Sequence, residues 1–313
     1  MRGRGADRRA RPLVHRYGSA EGATPTAVVV HPGALPSTVY RSLADTLAGP
    51  ESTVRPAMTL WLVDLDRVPE YTESALLGGQ PRTSVAEMAT TVERELRAAG
   101  AIAGGTDWVL AGWSFGGVIA HELTGRLHPA ELPRGMVVLD SIAPVPDYTK
   151  DDGELDPAML MPWFAMFLGA KRGVALPLPG DGPVPTLDDV LSAAVTGGAL
   201  PADTSVAGLG KVYQVFEAGL RRNNLICTGF NAERARVPVT LIRPEGSLLD
   251  TPDPLGWEQL TDDLKVVVCP GDHYSMLSDI AAVDTVAAVL RDEVAPPVPV
   301  SGDRQNERSF HHV

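Results

Sequence analysis

Apolar and polar positions along this chain follow two alternating rhythms. Short, nearly unbroken apolar runs recur at residues 27–31, Leu60–Val63, 107–111, 136–140, 237–242 and 264–268. Between them, apolar residues return at helical spacing. In 38–48 they are Val39, Leu43 and Leu47, and further helical stretches span 84–99, 115–127 and 276–292. Ser84 followed by Glu87 has the spacing of a capping box, which marks the start of the second of these helices. Apolar runs without alternation belong to strands covered on both faces. Strands alternating with helices predict a mostly parallel sheet with helices on both faces, and such a sheet gathers its chemistry at the carboxyl ends of the strands.

Residues 141–236 break the rhythm. Pro144, Pro146, Asp151 and Asp152 mark an exit from the core. The run from Met159 to Leu168 is rich in methionine and aromatic residues, which suit adaptable apolar contact. It predicts a lid helix whose Met159, Trp163, Phe164 and Phe167 line a substrate channel. Residues 174–186 are rich in proline and glycine and predict a mobile loop. Val206–Arg222 predicts a second lid helix, with Leu209, Val212, Tyr213 and Phe216 on one face. Tyr213 and Phe216 join the expected channel lining.

Gly112-Trp113-Ser114-Phe115-Gly116 stands between the strand 107–111 and the helix 115–127. A serine in a Gly-x-Ser-x-Gly turn from strand to helix sits in strained backbone with its hydroxyl exposed. The glycines remove side chains that would clash in so tight a turn, and the helix start adds a favourable field for developing negative charge. A nucleophilic serine needs a base, and the base needs an orienting acid. Among seven histidines, His273 follows a late strand and the turn Pro270-Gly271-Asp272, where this architecture delivers its base. His31 lies in the first loop at the catalytic edge, and His121 lies within the helix after the elbow. Asp140 closes the next strand and is the favoured acid; Asp250 and Asp253, one strand later, are the alternatives. Oxyanion donors are expected from the Phe115 N–H and from the loop His31–Ser37, with the Ala34 N–H preferred and Leu35 next.

Several of these segments together carry a family resemblance. They are His31-Pro32-Gly33-Ala34, Tyr40-Arg41-Ser42-Leu43-Ala44, the Trp-Ser-Phe-Gly-Gly elbow at 113–117, Val138-Leu139-Asp140-Ser141 and Gly271-Asp272-His273-Tyr274-Ser275-Met276-Leu277. In this order, across residues 24–294, the chain resembles the type I thioesterase domains that end polyketide and non-ribosomal peptide assembly lines. The resemblance implies an α/β-hydrolase fold with a helical lid insertion, about 145–232, and a Ser114–His273–Asp140 triad. It implies release of an acyl or peptidyl chain, by hydrolysis or macrocyclisation, from the phosphopantetheine thioester of a carrier protein. The free-standing editing thioesterases are similar, but usually keep the acid one strand later and often carry Met after the serine. Phe115 and Asp140 therefore lean toward the product-releasing type. The long interval from Asp140 to His273 implies an enlarged lid. A carboxylesterase or lipase would share the triad, and a catalytically silent fold used for binding would not need it.

Composition limits the alternatives. A chain of 313 residues with 44% hydrophobic and 21% charged residues suits one large domain. No run approaches a membrane span. A net charge of −12 argues against nucleic acid as a partner. Residues 1–23, with an Arg cluster and no following apolar region, are expected to form a disordered extension rather than a secretory signal, and 295–313 a disordered tail. Cys227 and Cys269 are too few for a disulfide framework, so a cytoplasmic setting is the simplest reading. No metal-ligand spacing or dinucleotide fingerprint is present, so no bound cofactor is expected. Asp140-Ser141-Ile142 imitates a carrier attachment core, but it falls at a strand end, and the acyl donor is expected to arrive on another protein or domain, or on a soluble thiol.

Overall fold

The computed structural model describes residues 12–17, 25–49, 57–77, 80–102, 107–149, 155–178 and 183–295. Its centre is a seven-stranded sheet: β1 (Val14–Tyr17), β2 (Thr26–His31), β3 (Thr59–Asp64), β4 (Trp108–Trp113), β5 (Met136–Leu139), β6 (Val239–Gly246) and β7 (Leu264–Asp272). The spatial order is β1-β3-β2-β4-β5-β6-β7. Only β1 runs antiparallel, against β3; every other neighbouring pair is parallel.

The unbroken apolar runs are explained by the two faces they cover. In β2, Ala27 and Val29 pack with Leu43 and Leu47 of α1 (Arg41–Ala48) and with Val283 and Val286 of α8 (Ile280–Val294). Val28 and Val30 point the other way. They pack with Met88 and Val92 of α3 (Val85–Ala99) and Val118 and Ile119 of α4 (Phe115–Arg126). Ser84 caps α3 with the full capping box, and Gly100 ends it in left-handed backbone. A β4 strand buried at every position lies mid-sheet and carries the elbow at its end.

Between β5 and β6 the chain leaves the sheet and builds the lid from α5 (Pro157–Arg172), α6 (Leu187–Thr196) and α7 (Val206–Cys227). Phe164 and Phe167 of α5 meet Phe216 of α7 at ring-centroid distances of 5.3 and 4.9 Å. Each such aromatic pair contributes roughly 0.5–1.5 kcal/mol beyond its buried area, and through these residues the lid joins the core cluster on the α1 and α8 side of the sheet.

The structure departs from the sequence reading in several places. The expected extension over 1–23 contains β1, whose four residues pair with Leu60–Val63 of β3; residues 1–11 and 18–24 lie outside the described part. The tail from 296 on also lies outside it. In the expected loop 174–186, residues 179–182 lie outside the described part and Thr186 caps α6. Helices α2 (Pro69–Leu76) and α6 were not anticipated. The first predicted helix begins with a 3-10 turn at Ser37–Tyr40, and the last starts at Ile280 after a 3-10 turn at Ser275–Leu277.

Candidate active site

Ser114 joins β4 to α4 at φ 53° and ψ −129°. A residue other than glycine at positive φ is strained, and such strain persists only where the surroundings enforce it. Here the enforcement is steric. A Cβ on Gly112 would strike the backbone of Gly116 and Gly117, and one on Gly116 would strike the Val30 carbonyl. Only a turn without these side chains lets α4 lie so close to β2. The Ser114 N–H donates to the Leu139 carbonyl at 3.0 Å, which ties the elbow to the end of β5.

Asp140 follows β5 directly, also at positive φ (41°), and its N–H donates to the Ile242 carbonyl at 2.8 Å. Its carboxylate is 1% exposed. One oxygen accepts from the Ser247 hydroxyl at 2.6 Å. The other accepts from the Leu248 N–H at 3.2 Å and pairs with His273 Nδ1 at 2.8 Å. A buried carboxylate held by three donors is a fixed negative end for the imidazole. Asp250 and Asp253 lie instead in a loop clamped by Arg243, whose guanidinium donates to the carbonyls of Leu249, Thr251 and Asp253. Sequence reasoning did not find Ser247 and Leu248; the only cue was their place just after β6.

His273 is 2% exposed and follows β7. With Nδ1–H donated to Asp140, Nε2 is left as the working nitrogen. The Trp113 indole N–H donates to the His273 carbonyl at 2.9 Å, and its ring lies 5.0 Å from the imidazole. Trp113, the residue before Ser114, thus fixes the loop that carries His273.

The loop after β2 is clamped from two sides. His31 Nε2–H donates to the Leu35 carbonyl at 2.7 Å, and the Tyr40 hydroxyl lies 3.3 Å from His31 Nδ1. The His31 ring stacks on Trp113 at 5.6 Å. Burial holds its pKa below the usual value, so it stays neutral and shapes the loop. The Tyr71 hydroxyl of α2 reaches the Pro32 carbonyl at 3.1 Å. Gly33 adopts φ 85°, and a Cβ there would lie 2.8 Å from Asp66 Cβ. The N–H of Ala34 follows this turn, and the Phe115 N–H opens α4, where helix donors have no partner within the helix.

Two clefts meet at the nucleophile. The first, about 370 Å³, is lined by Ser114, Asp140, Met159, Trp163 and Leu248, among others. The second, about 450 Å³, is lined by Ala34, Ser114, Phe167, Phe216 and His273, with Lys171 and Lys211. Ser114, Leu220 and Asn223 belong to both. Four of the six expected lid residues, Met159, Trp163, Phe167 and Phe216, line these clefts. Phe164 and Tyr213 do not: Phe164 is fully buried and Tyr213 packs edge-on against it at 5.3 Å, because both are taken up by the hydrophobic core. A cavity of about 520 Å³ lies elsewhere, among Glu93, His121, Glu122, Arg126 and Glu233, and shares no residue with these clefts.

Both cysteines are buried, and burial pushes their thiols up to about 12 for Cys227 and about 11 for Cys269. At neutral pH they are protonated and poor nucleophiles. Among the described residues no His, Cys, Asp and Glu group could hold a metal ion, and no helix is long and apolar enough to cross a membrane.

No family model matches the chain, and no curated protein matches it. Among solved structures, it is similar over 92% of its length to holo-AB3403, a four-domain nonribosomal peptide synthetase bound to AMP and glycine, at 26% identity and a TM-score of 0.60. The chain spans only 20% of that synthetase. It is similar to the NocB thioesterase domain from the nocardicin cluster, solved as a covalent complex with a fluorophosphonate nocardicin G analogue. That match has 23% identity over 88% of this chain and 99% of that one, with a TM-score of 0.52. It is also similar to BorB, a type II thioesterase from the borrelidin cluster, at 16% identity over 90% and 97% of the two chains and a TM-score of 0.56. The chain has the α/β-hydrolase fold of these thioesterase domains.

Proposed function

We propose that this protein is a serine thioesterase of natural-product biosynthesis, releasing an acyl or peptidyl chain from the phosphopantetheine thioester of a carrier protein. The observation that carries the reading is the His273–Asp140 pair at 2.8 Å, with Asp140 lining the first cleft, His273 the second and the strained Ser114 both. Ser114 Oγ attacks the thioester carbonyl while His273 Nε2 takes its proton. Asp140 stabilises the imidazolium. The N–H groups of Phe115 and Ala34 donate to the oxyanion, where fixed dipoles contribute most. As the C–S bond breaks, His273 returns the proton to the leaving thiolate, and an acyl-Ser114 remains. His273 then activates water, giving the free acid, or an internal hydroxyl or amine of the chain, giving a ring. In both cases Ser114 leaves with the proton from His273.

Asp140 at the end of β5, rather than an acid one strand later, favours the product-releasing type over the editing type. Lys171 and Lys211, which line the second cleft, are suited to the phosphate of a pantetheine arm.

The test is intact mass with free thiol measured in parallel, on wild type and Ser114→Ala, using acyl-pantetheine thioesters and matched oxygen esters. The expected result is an acyl adduct on wild type only, with thiol release. Turnover of oxygen esters without any thioester cleavage would overturn the reading in favour of an esterase.

A further inference from the structure

Asn223 of α7, like Ser114, lines both of the clefts. Its carboxamide orientation is fixed by chemistry. Oδ1 accepts from Arg222 Nε at 3.1 Å and from Arg222 Nη2 at 3.0 Å. A guanidinium can only donate, so the atom it meets must be the amide oxygen. The Tyr71 hydroxyl lies 2.9 Å from the same oxygen and shares its single proton with the Pro32 carbonyl. Arg222 is itself immobile. It is 7% exposed, its Nη1 donates to the Tyr71 carbonyl at 3.1 Å, and its guanidinium lies 3.4 Å over the Tyr71 ring. The amide cannot flip without placing its NH2 against a guanidinium. Its two N–H donors are therefore turned away from this anchor.

We infer that Asn223 is a specificity-determining residue that donates an Nδ2–H bond to a carbonyl oxygen carried by the acyl chain within a few bonds of the reacting carbon. This rests on the thioesterase reading. The reacting carbon is the substrate atom held at Ser114, and Ser114 is where the clefts meet. Chain atoms next to it stay at the junction through the acyl-serine stage, after the thiol has gone, so the donor acts in both halves of the reaction. A locked donor also discriminates by chemistry: it rewards an acceptor, such as a β-oxo group or the amide of an N-acylaminoacyl chain, and gives nothing to a plain alkyl chain. This assigns a class of substrate, oxygenated near the thioester, that the triad by itself does not specify.

The experiment compares kcat/KM for pantetheine thioesters of 3-oxohexanoate, N-acetylglycine and hexanoate, on wild type and Asn223→Asp. The variant keeps the oxygen that Arg222 and Tyr71 require and removes the N–H donors. Wild type is expected to prefer at least one carbonyl-bearing chain over hexanoate, and Asn223→Asp to lower that preference by about tenfold, the usual worth of one matched hydrogen bond in a partly buried site. Taking the ratio between substrates cancels any general effect of the new carboxylate. Equal losses on all three chains would overturn the inference and assign Asn223 to positioning or to the thiol arm. A wild type without preference would overturn it whether or not the variant folds. If wild type formed no adduct at Ser114 with any thioester, the thioesterase reading would fall, and this inference with it.

Discussion

At the scale of single residues, two backbone distortions support the chemistry. Ser114 and Asp140 both sit at positive φ, at the ends of adjacent strands. Each is held by a hydrogen bond to the next strand outward: Ser114 N–H to Leu139, and Asp140 N–H to Ile242. The sheet thus enforces conformations that neither residue would adopt alone. In the proposed mechanism Asp140 keeps His273 in the tautomer with Nδ1 protonated and stabilises its charged form. Asp140→Asn leaves the shape nearly unchanged but offers the imidazole an amide in place of a charge. Thioester turnover should fall by about 10^4-fold in kcat, by analogy with the serine-hydrolase triad. Steady-state kinetics beside an unchanged thermal transition would check it; a loss below tenfold would remove Asp140 from the triad.

At the scale of elements, the decisive contact is α4 against β2. The helix approaches so closely that Gly116 has the Val30 carbonyl where a Cβ would be. Gly116→Ala should therefore cost about 3 kcal/mol through overpacking and backbone displacement, lowering Tm by roughly 5–10 °C. It should also impair acylation, since α4 carries the Phe115 N–H. Thermal unfolding followed by circular dichroism would measure the first effect. The lid obeys a different logic. Two of its helices, α5 and α7, bury Phe164 against Phe167, Tyr213 and Phe216, and α7 is anchored to α2 by Arg222 on Tyr71. In α5 and α7 part of the surface is thus spent on packing, and other residues of the same helices line the two clefts at Ser114.

At the scale of the whole molecule, stability should depend on pH through a group that lines neither cleft at Ser114. His121 of α4 is 4% exposed, packs edge-on against Trp257 at 5.8 Å, and has its pKa lowered to about 4, chiefly by burial. The unfolded chain binds a proton at this histidine below its ordinary value of 6.5, whereas the folded chain does so only near 4. Between these limits the unfolded state holds the extra proton, so stability falls as pH falls, by up to roughly 3 kcal/mol from this group. His121→Leu should flatten that part of the curve. Denaturant unfolding of both proteins at pH 7 and pH 5 would show it, and equal losses in the two would remove His121 as the source.

The elbow, its strand and its helix were legible in the sequence because their causes are local. Gly112 answers a clash within the turn itself, its neighbours Gly116 and Gly117 complete the same short motif although their close contacts are with Val30 and Ser141, and unbroken apolar runs report strands buried on both faces. His273 was legible for a similar reason, as the histidine that follows a late strand. The acid was narrower than a guess but not fixed. Asp140, Asp250 and Asp253 all follow strands, and only the packing shows that Ser247, Leu248 and His273 converge on Asp140 while Arg243 holds the other loop. Strand β1 escaped notice because an edge strand of four residues, paired on one side, carries no apolar periodicity. The lid lining was half legible: helical spacing shows which residues share a face, but not whether that face meets substrate or a neighbouring helix. Tyr71 and Arg222 stand 151 residues apart in the chain, and no local signal joins them. Local sterics and the period of burial are written in the sequence; the pairing of distant polar groups is decided only when the folded chain excludes water between them.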